Sequence, residues 1–352
     1  MESPVRFYEN EEELFGASNE APTPHEKIIT RRLLNLLHKY KVGYTWVDTV
    51  EAVVAFLNKL DKLGMRNKDA PAAWSSIATQ RDSKNVRNMN LHELHATYKP
   101  KTFRDLNRPY SIVSKMPALY IDCEGVNLSR SGTLSIFEVM SVLENHVYVF
   151  DVHVLGKKAF ETAGVNGVTL KKILEDPGIG IAFFDVRNDS DALHHHFGIK
   201  LQGVQDIQLM ELATRRGGID YVHGLKRCIE EVTIHSELSW GERSVFMQVK
   251  SAGRQALGGD YRVFAERPLK EMLVMYCIVD VALLPMIWTD YSWMVSKEGW
   301  AKVLEVSATR VAESQQADYD PHNPNKVIAD PGFQLLPRGL RKVSNYGNGD
   351  MM

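Results

Sequence analysis

The first clear pattern along the chain is helical. In His25 to Tyr40, Ile28, Leu33, Leu34 and Leu37 fall on one face at helical spacing. Residues 43–47 (GYTWV) fit a short strand. Asp48-Thr49 then offers an N-cap to the amphipathic run VEAVVAFLNKLDKL. From 65 to 112 the apolar periodicity stops and the chain turns polar and basic, as expected for an insertion or long connection. From 117 it becomes β-rich. ALYIDCE, TLSIFEVMSVL and HVYVFDVHVL are three strand-like runs broken by Ser-Arg-Ser-Gly (129–132) and Glu-Asn (144–145), which predicts an antiparallel meander. Helices and strands then alternate: helix at 169–176, apolar strand at 178–184, helix at 190–198, strand at 203–209, a helical group over 221–231, and one long helix from about Pro268 to Val295. This order predicts an α/β protein with a mixed sheet flanked by helices.

Composition sets loose bounds. The 352 residues are 44% hydrophobic and 24% charged, enough to bury a sizeable core in one large domain or two modest ones. No run approaches about 18 uninterrupted apolar residues, so no membrane partner is expected. The acidic start MESPVRFYENEEELFG lacks the apolar core of a secretory signal. Residues 1–23 read as loose, and the end, SNYGNGDMM, as a flexible tail. The three cysteines (Cys123, Cys228, Cys277) are too few and too widely spaced for a disulfide framework or a zinc site. A reducing compartment, cytoplasm or nucleus, is the expectation. The formal net charge of −2 does not advertise a nucleic-acid binder, but a strand end needs a local basic groove rather than a basic average.

Three places carry candidate chemistry. In Asp122-Cys123-Glu124-Gly125, strand alternation points Asp122 and Glu124 to one face and Cys123 to the other. Two carboxylates on one face make a hard-oxygen platform for a divalent cation, and Gly125 would let a substrate backbone approach; solvated acids at a strand end would look the same. The second place is Asp189, near a helix start in FFDVRNDSDALHHHFGI. There Asp185 and Asp191 compete with it, and a helix cap is the plain alternative. The third is Tyr276-Cys-Ile-Val-Asp280, four residues apart on one helix face within an apolar run. An aspartate buried there needs a partner, either a metal ion or an Arg or Lys. His194, His195 and His196 splay about 100° apart on a helix and cannot chelate one ion together. Asp151 and Asp206, ending apolar strands, read as structural.

Taken together and in order, YIDCEGVNLSRSGTLS, FFDVRNDSDALHHHFGI and RPLKEMLVMYCIVDVALL resemble the three motifs of the DEDD superfamily of 3′–5′ exonucleases. Tyrosine four residues before the last aspartate resembles the DEDDy branch, which includes RNase D. EGVNLSRSGTLS, RNDSDAL, FAERPL and YCIVDV are similar to the group of Egalitarian and exonuclease 3′–5′ domain-containing protein 1. The resemblance implies an RNase-H-like sheet with a helical N-terminal extension (1–43), an exonuclease domain (44–300) carrying the 65–112 insertion, and a helical then flexible tail (301–352). It selects Asp189 over its neighbours, because Leu193 and Gly198 follow at the family's spacing. Phe184 stands where many relatives carry His.

The resemblance also implies chemistry. Two Mg²⁺ or Mn²⁺ ions about 4 Å apart would serve the water and the leaving 3′-oxygen. Asp122 would bridge them, Glu124 and Asp280 would complete the water-activating site, Asp189 would support the second ion, and Tyr276 would orient the water. The expected product is a nucleoside 5′-monophosphate from a single-stranded 3′ end, RNA favoured over DNA. Arg130, Arg187 and the insertion's Lys99, Lys101, Arg104 and Arg108 are candidate phosphate grips. The insertion and termini could serve protein partners. Two other readings remain: an RNA-binding adaptor on the same scaffold, and an α/β protein whose acids are incidental.

Overall fold

The computed structural model describes residues 22–63 and 116–335 apart from 216, 218 and 233–237. The expectations for 1–21, for the 65–112 insertion with the candidates Lys99, Lys101, Arg104 and Arg108, and for the end of the tail lie outside the described residues. Six strands form one sheet: β1 (Gly43–Val47), β2 (Leu119–Glu124), β3 (Ile136–Ser141), β4 (His146–Asp151), β5 (Ile181–Phe183) and β6 (Val204–Asp206), in the order β1-β4-β3-β2-β5-β6. The predicted meander β2-β3-β4 is antiparallel, whereas β1 joins β4, β5 joins β2 and β6 joins β5, all in parallel. The sheet is therefore mixed, as the element order implied.

Strand alternation divides the core into two layers. On β2, Leu119, Ile121 and Cys123 enter one layer, and Tyr120 enters the other. The layer under Cys123 is covered by α2 (Val50–Lys62), α3 (Val152–Leu155), α4 (Lys158–Glu161), α5 (Leu170–Leu174) and α6 (Arg187–Phe197). The opposite layer receives α1 (Pro24–Lys39), α7 (Ile207–Thr214), α8 (Leu225–Val232), α9 (Trp240–Leu257), α10 (Glu271–Ala282), α11 (Leu284–Met294) and α12 (Lys297–Ser314). Thr23 and Thr49 cap α1 and α2 by accepting hydrogen bonds from Glu26 and Ala52 backbone nitrogens. α1 packs on α9 and α10, inside the main core.

The long helix expected from Pro268 to Val295 is two helices meeting at Leu283. Pro285 has no N–H to continue the ladder and stands in the first turn of α11. Glu271–Met294 is apolar enough by length and composition to cross a bilayer, but 83% of that window is buried within the protein, where α10 crosses β2, β3 and β4. Residues 315–335, in the segment expected to be helical and then flexible, belong to the fold: Lys326 Nζ donates to Asn188 Oδ1 at 2.5 Å, and Ala329 and Phe333 are buried.

Candidate active site

The acidic residues singled out above arrive from three elements. Asp122 and Glu124 stand on the same face of β2, at its C-terminal end. Asp280 comes down from α10, which lies across that face. Ligand oxygens of Asp122, Glu124 and Asp280 all lie within 4.8 Å of one another. Hard oxygens gathered this closely would need only small side-chain movements to hold one divalent ion together.

Asp189 occupies the third position of α6, on the far layer, and does not cap it. Its carboxyl lies against the Cys123 thiol, and its charge is felt at Asp122 and Glu124. It stands beside the three-acid cluster rather than within it. Its neighbours have other partners: Asp185 holds Arg187, and Asp191 accepts from the Arg130 backbone and side chain at 2.7 Å each.

The electrostatics are those of acids lacking enough cations. Burial first, then the charges of Asp280, Asp189 and Glu124, push the Asp122 carboxyl well above the usual carboxylate range. Burial and Asp280 push Glu124 up to about 8, against the pull of Lys250. Burial pushes Asp189 up to about 7 and also raises Asp280. Asp189 Oδ1 and Asp280 Oδ2 are buried without a hydrogen-bond partner. Orphaned hard oxygens converging in this way suit a divalent ion, whose charge would draw these groups into their ionised forms.

Tyr276 lies one turn before Asp280 on α10. Burial, followed by the charges of Asp280 and Glu124, raises its phenol well above its ordinary value, so it stays protonated and is a donor rather than a base.

Two residues belong to this place that the sequence reading did not single out. Lys250 on α9 makes an ion pair with Asp280 Oδ1, and its Nζ lies 3.8 Å from the centroid of the Tyr276 ring. Its signal was legible: Phe246, Val249, Gly253 and Leu257 share its stripe at helical spacing, and lysine is the odd residue on that apolar face. Glu138 pairs with Asp122 across β2 and β3, fully buried, with neither carboxyl oxygen hydrogen-bonded and the Cys277 thiol beside it. Burial and the charges of Asp122 and Glu124 hold it well above the carboxylate range, as a neutral acid.

The substrate-contact candidates fare differently. Gly125 is needed by its own loop, since a Cβ there would lie 2.1 Å from the Thr133 carbonyl oxygen. Arg130 donates to Asp191 and to the carbonyls of Ser314, Gln316 and Ala317. Arg187 donates to Asp185 and to the Lys326 carbonyl. The geometry reassigns both arginines from phosphate grips to ties holding the chain after α12 against α6. Asp151 caps α3 and pairs with Arg267, and Asp206 accepts from three backbone nitrogens and Arg310, the structural roles expected of them. His196 Nε2 lies 2.9 Å from the Ser129 carbonyl, outside any metal cluster among the described residues. A second group, Glu211, His223 and Glu231, also converges, but Arg215 and Arg227 already neutralise its two carboxylates.

Comparison with known proteins points the same way. Residues 99–290 match a family described as 3′–5′ exonuclease. The piRNA biogenesis protein EXD1 of Xenopus laevis is 31% identical over 211 residues, covering 55% of this chain and 44% of that protein. This chain thus spans less than half the length of that relative. Among solved structures, Trypanosoma brucei RNase D with GMP aligns with a TM-score of 0.52 and 17% identity, covering 85% of this chain and 72% of that one. The same enzyme in complex with RNA U12 aligns with a TM-score of 0.50 and 17% identity, covering 88% and 80%. These structural likenesses concern the fold.

Proposed function

The chain belongs to the 3′–5′ exonuclease family, and from that premise we propose that it hydrolyses nucleic acid from the 3′ end to nucleoside 5′-monophosphates, RNA in preference to DNA, with Mg²⁺ or Mn²⁺ as the metal. The observation that carries this reading is the convergence of Asp122, Glu124 and Asp280, with Asp189 alongside. These four carboxylates would hold the metal. When bound, divalent ions would polarise the scissile phosphate and neutralise charge on the leaving 3′-oxygen. Glu124 and Asp280 fix the water-facing side of the cluster. Tyr276 keeps its proton and orients the attacking water by donating a hydrogen bond. The RNA preference draws support from the fold-level neighbour whose structure includes RNA U12 and from the relative whose name refers to piRNA biogenesis. Cytoplasm or nucleus remains the proposed compartment.

The test is stepwise shortening of 5′-labelled RNA and DNA strands by purified protein with Mn²⁺. We expect EDTA to stop it and Asp122→Asn to reduce it by at least about 100-fold, the scale of losing one electrostatic group from a preorganised site. A protein inert on both polymers with every end type, or an Asp122→Asn variant as active as the parent, defeats the reading. The adaptor alternative shares this scaffold, in which Lys250 on α9 neutralises part of the acid cluster through its ion pair with Asp280. Tight RNA binding unaccompanied by cleavage, and unaltered in Asp122→Asn, would select it.

A further inference from the structure

Lys250 is a buried cation inside an acid cluster. Its side chain and that of Asp280 are 8% and 1% exposed, so the pair is shut off from solvent. α9 presents Lys250 from the same stripe as Phe246, Val249 and Gly253. Gly253, three residues on, is where the Tyr276 ring rests: a Cβ there would lie 2.3 Å from Tyr276 Cδ2 and 2.7 Å from its Cβ. Glycine inside a helix carries a cost in stability, and here it admits the ring over which the ammonium sits. The ammonium occupies one oxygen of an aspartate whose other oxygen has no partner and which converges with Asp122 and Glu124. The Glu211 group, by contrast, is neutralised by Arg215 and Arg227, each four residues from its acid along the chain.

We propose that Lys250 is the resident cation of the site and competes with the divalent ion for Asp280, so that metal binding requires its ammonium to leave that carboxylate. This rests on the reading of the acid cluster as a metal site and adds what sets the metal affinity. A divalent ion and an ammonium a few ångströms apart repel strongly even with water-like screening, so they cannot hold Asp280 together at little cost.

The experiment is calorimetric titration of Mn²⁺ into the full chain without nucleic acid, for wild type, Lys250→Met and Lys250→Arg. Met keeps the apolar stem and removes the charge; Arg keeps the charge. Lys250→Met is expected to bind Mn²⁺ at least about 10-fold more tightly than wild type, and Lys250→Arg to stay within about 3-fold of it. Equal affinity of wild type and Lys250→Met overturns the proposal. Should Lys250→Met fail to fold, wild type itself gives the answer. In protein labelled with ¹³C at lysine Cε, with the Lys250 signal assigned by its loss in Lys250→Arg, Mg²⁺ saturation is expected to shift that signal. A signal unmoved at saturation overturns the proposal as well. Wild type that binds and cleaves while Lys250→Met binds equally well would sink this inference alone. Absence of Mn²⁺ binding in every variant would sink the metal-site reading beneath it.

Discussion

Two groups of buried and half-buried carboxylates lie close together in this fold and are satisfied in opposite ways. At the β5–β6 end of the sheet, Asp185, Asp191 and Asp206 each meet donors. Asp206 accepts from the Asp185 and Gln208 nitrogens and from Arg310 Nη1 at 2.6 Å, Asp191 from Arg130, and Asp185 from Arg187. On the face of β2 and β3, Asp122, Glu124, Glu138 and Asp280 crowd together with Asp189 beside them, and one lysine reaches them. Each group mixes buried and half-buried acids, so burial does not distinguish a site from a strut. The number of donors does. An acid whose donors come from the fold finishes a structure, and an acid left short of them is ready for a cation from outside.

Breaking the well-satisfied group should cost the most stability. Arg310→Met leaves the Asp206 carboxylate buried without its cation, and urea denaturation is expected to show a loss of about 3–5 kcal/mol. A loss below about 1 kcal/mol would erase the contrast. The under-satisfied group should respond in the other direction. Glu138→Met removes a buried acid with no hydrogen-bonded oxygen, so the metal-free protein should gain about 1–3 kcal/mol. Destabilisation there would mean that Glu138 has a partner in the folded protein.

The smallest effect concerns His146, a half-buried base away from both groups. Burial, aided by the charge of Lys59, pushes the His146 imidazole down to about 3, while its Nε2 lies 2.7 Å from Thr45 Oγ1. The unfolded chain takes up a proton near pH 6.5 and the folded chain does not, so this contribution is present above pH 6.5 and is lost as the pH falls toward 3. Comparing wild type with His146→Gln between pH 7 and pH 5 isolates it. Wild type should lose about 2 kcal/mol more, at the low end of that range. Parallel pH curves for the two proteins would refute it.

Much of the fold was legible because its signals are local. Alternation in ALYIDCE and its two successors marks β2, β3 and β4, and the short breaks between them require antiparallel neighbours. The parallel pairing of β1 with β4 was not legible, because it joins segments about 100 residues apart and no local signal records it. Asp122, Glu124, Tyr276 and Asp280 were singled out because strand and helix periodicities put each pair on one face, and the resemblance then gave them their expected roles. Asp189 needed the resemblance, since the helix alone left Asp185 and Asp191 in competition; only the folded chain gives those two to arginines. Lys250 and Glu138 were missed for a common reason. Each is a polar residue on an apolar stripe, and the meaning of that depends on which element packs opposite. The same blindness made Arg130 and Arg187 look available, although their carbonyl partners lie more than 130 residues away.

The central claim is that the acids on β2 and α10 form a divalent metal site, and Mn²⁺-dependent melting of wild type beside Asp122→Asn tests it most directly. A ligand that binds only the folded state at about 100 times its Kd stabilises by about 2.7 kcal/mol. Wild type should therefore melt several degrees higher with saturating Mn²⁺, and Asp122→Asn should not. Equal shifts in both proteins, or none in either, would contradict the account.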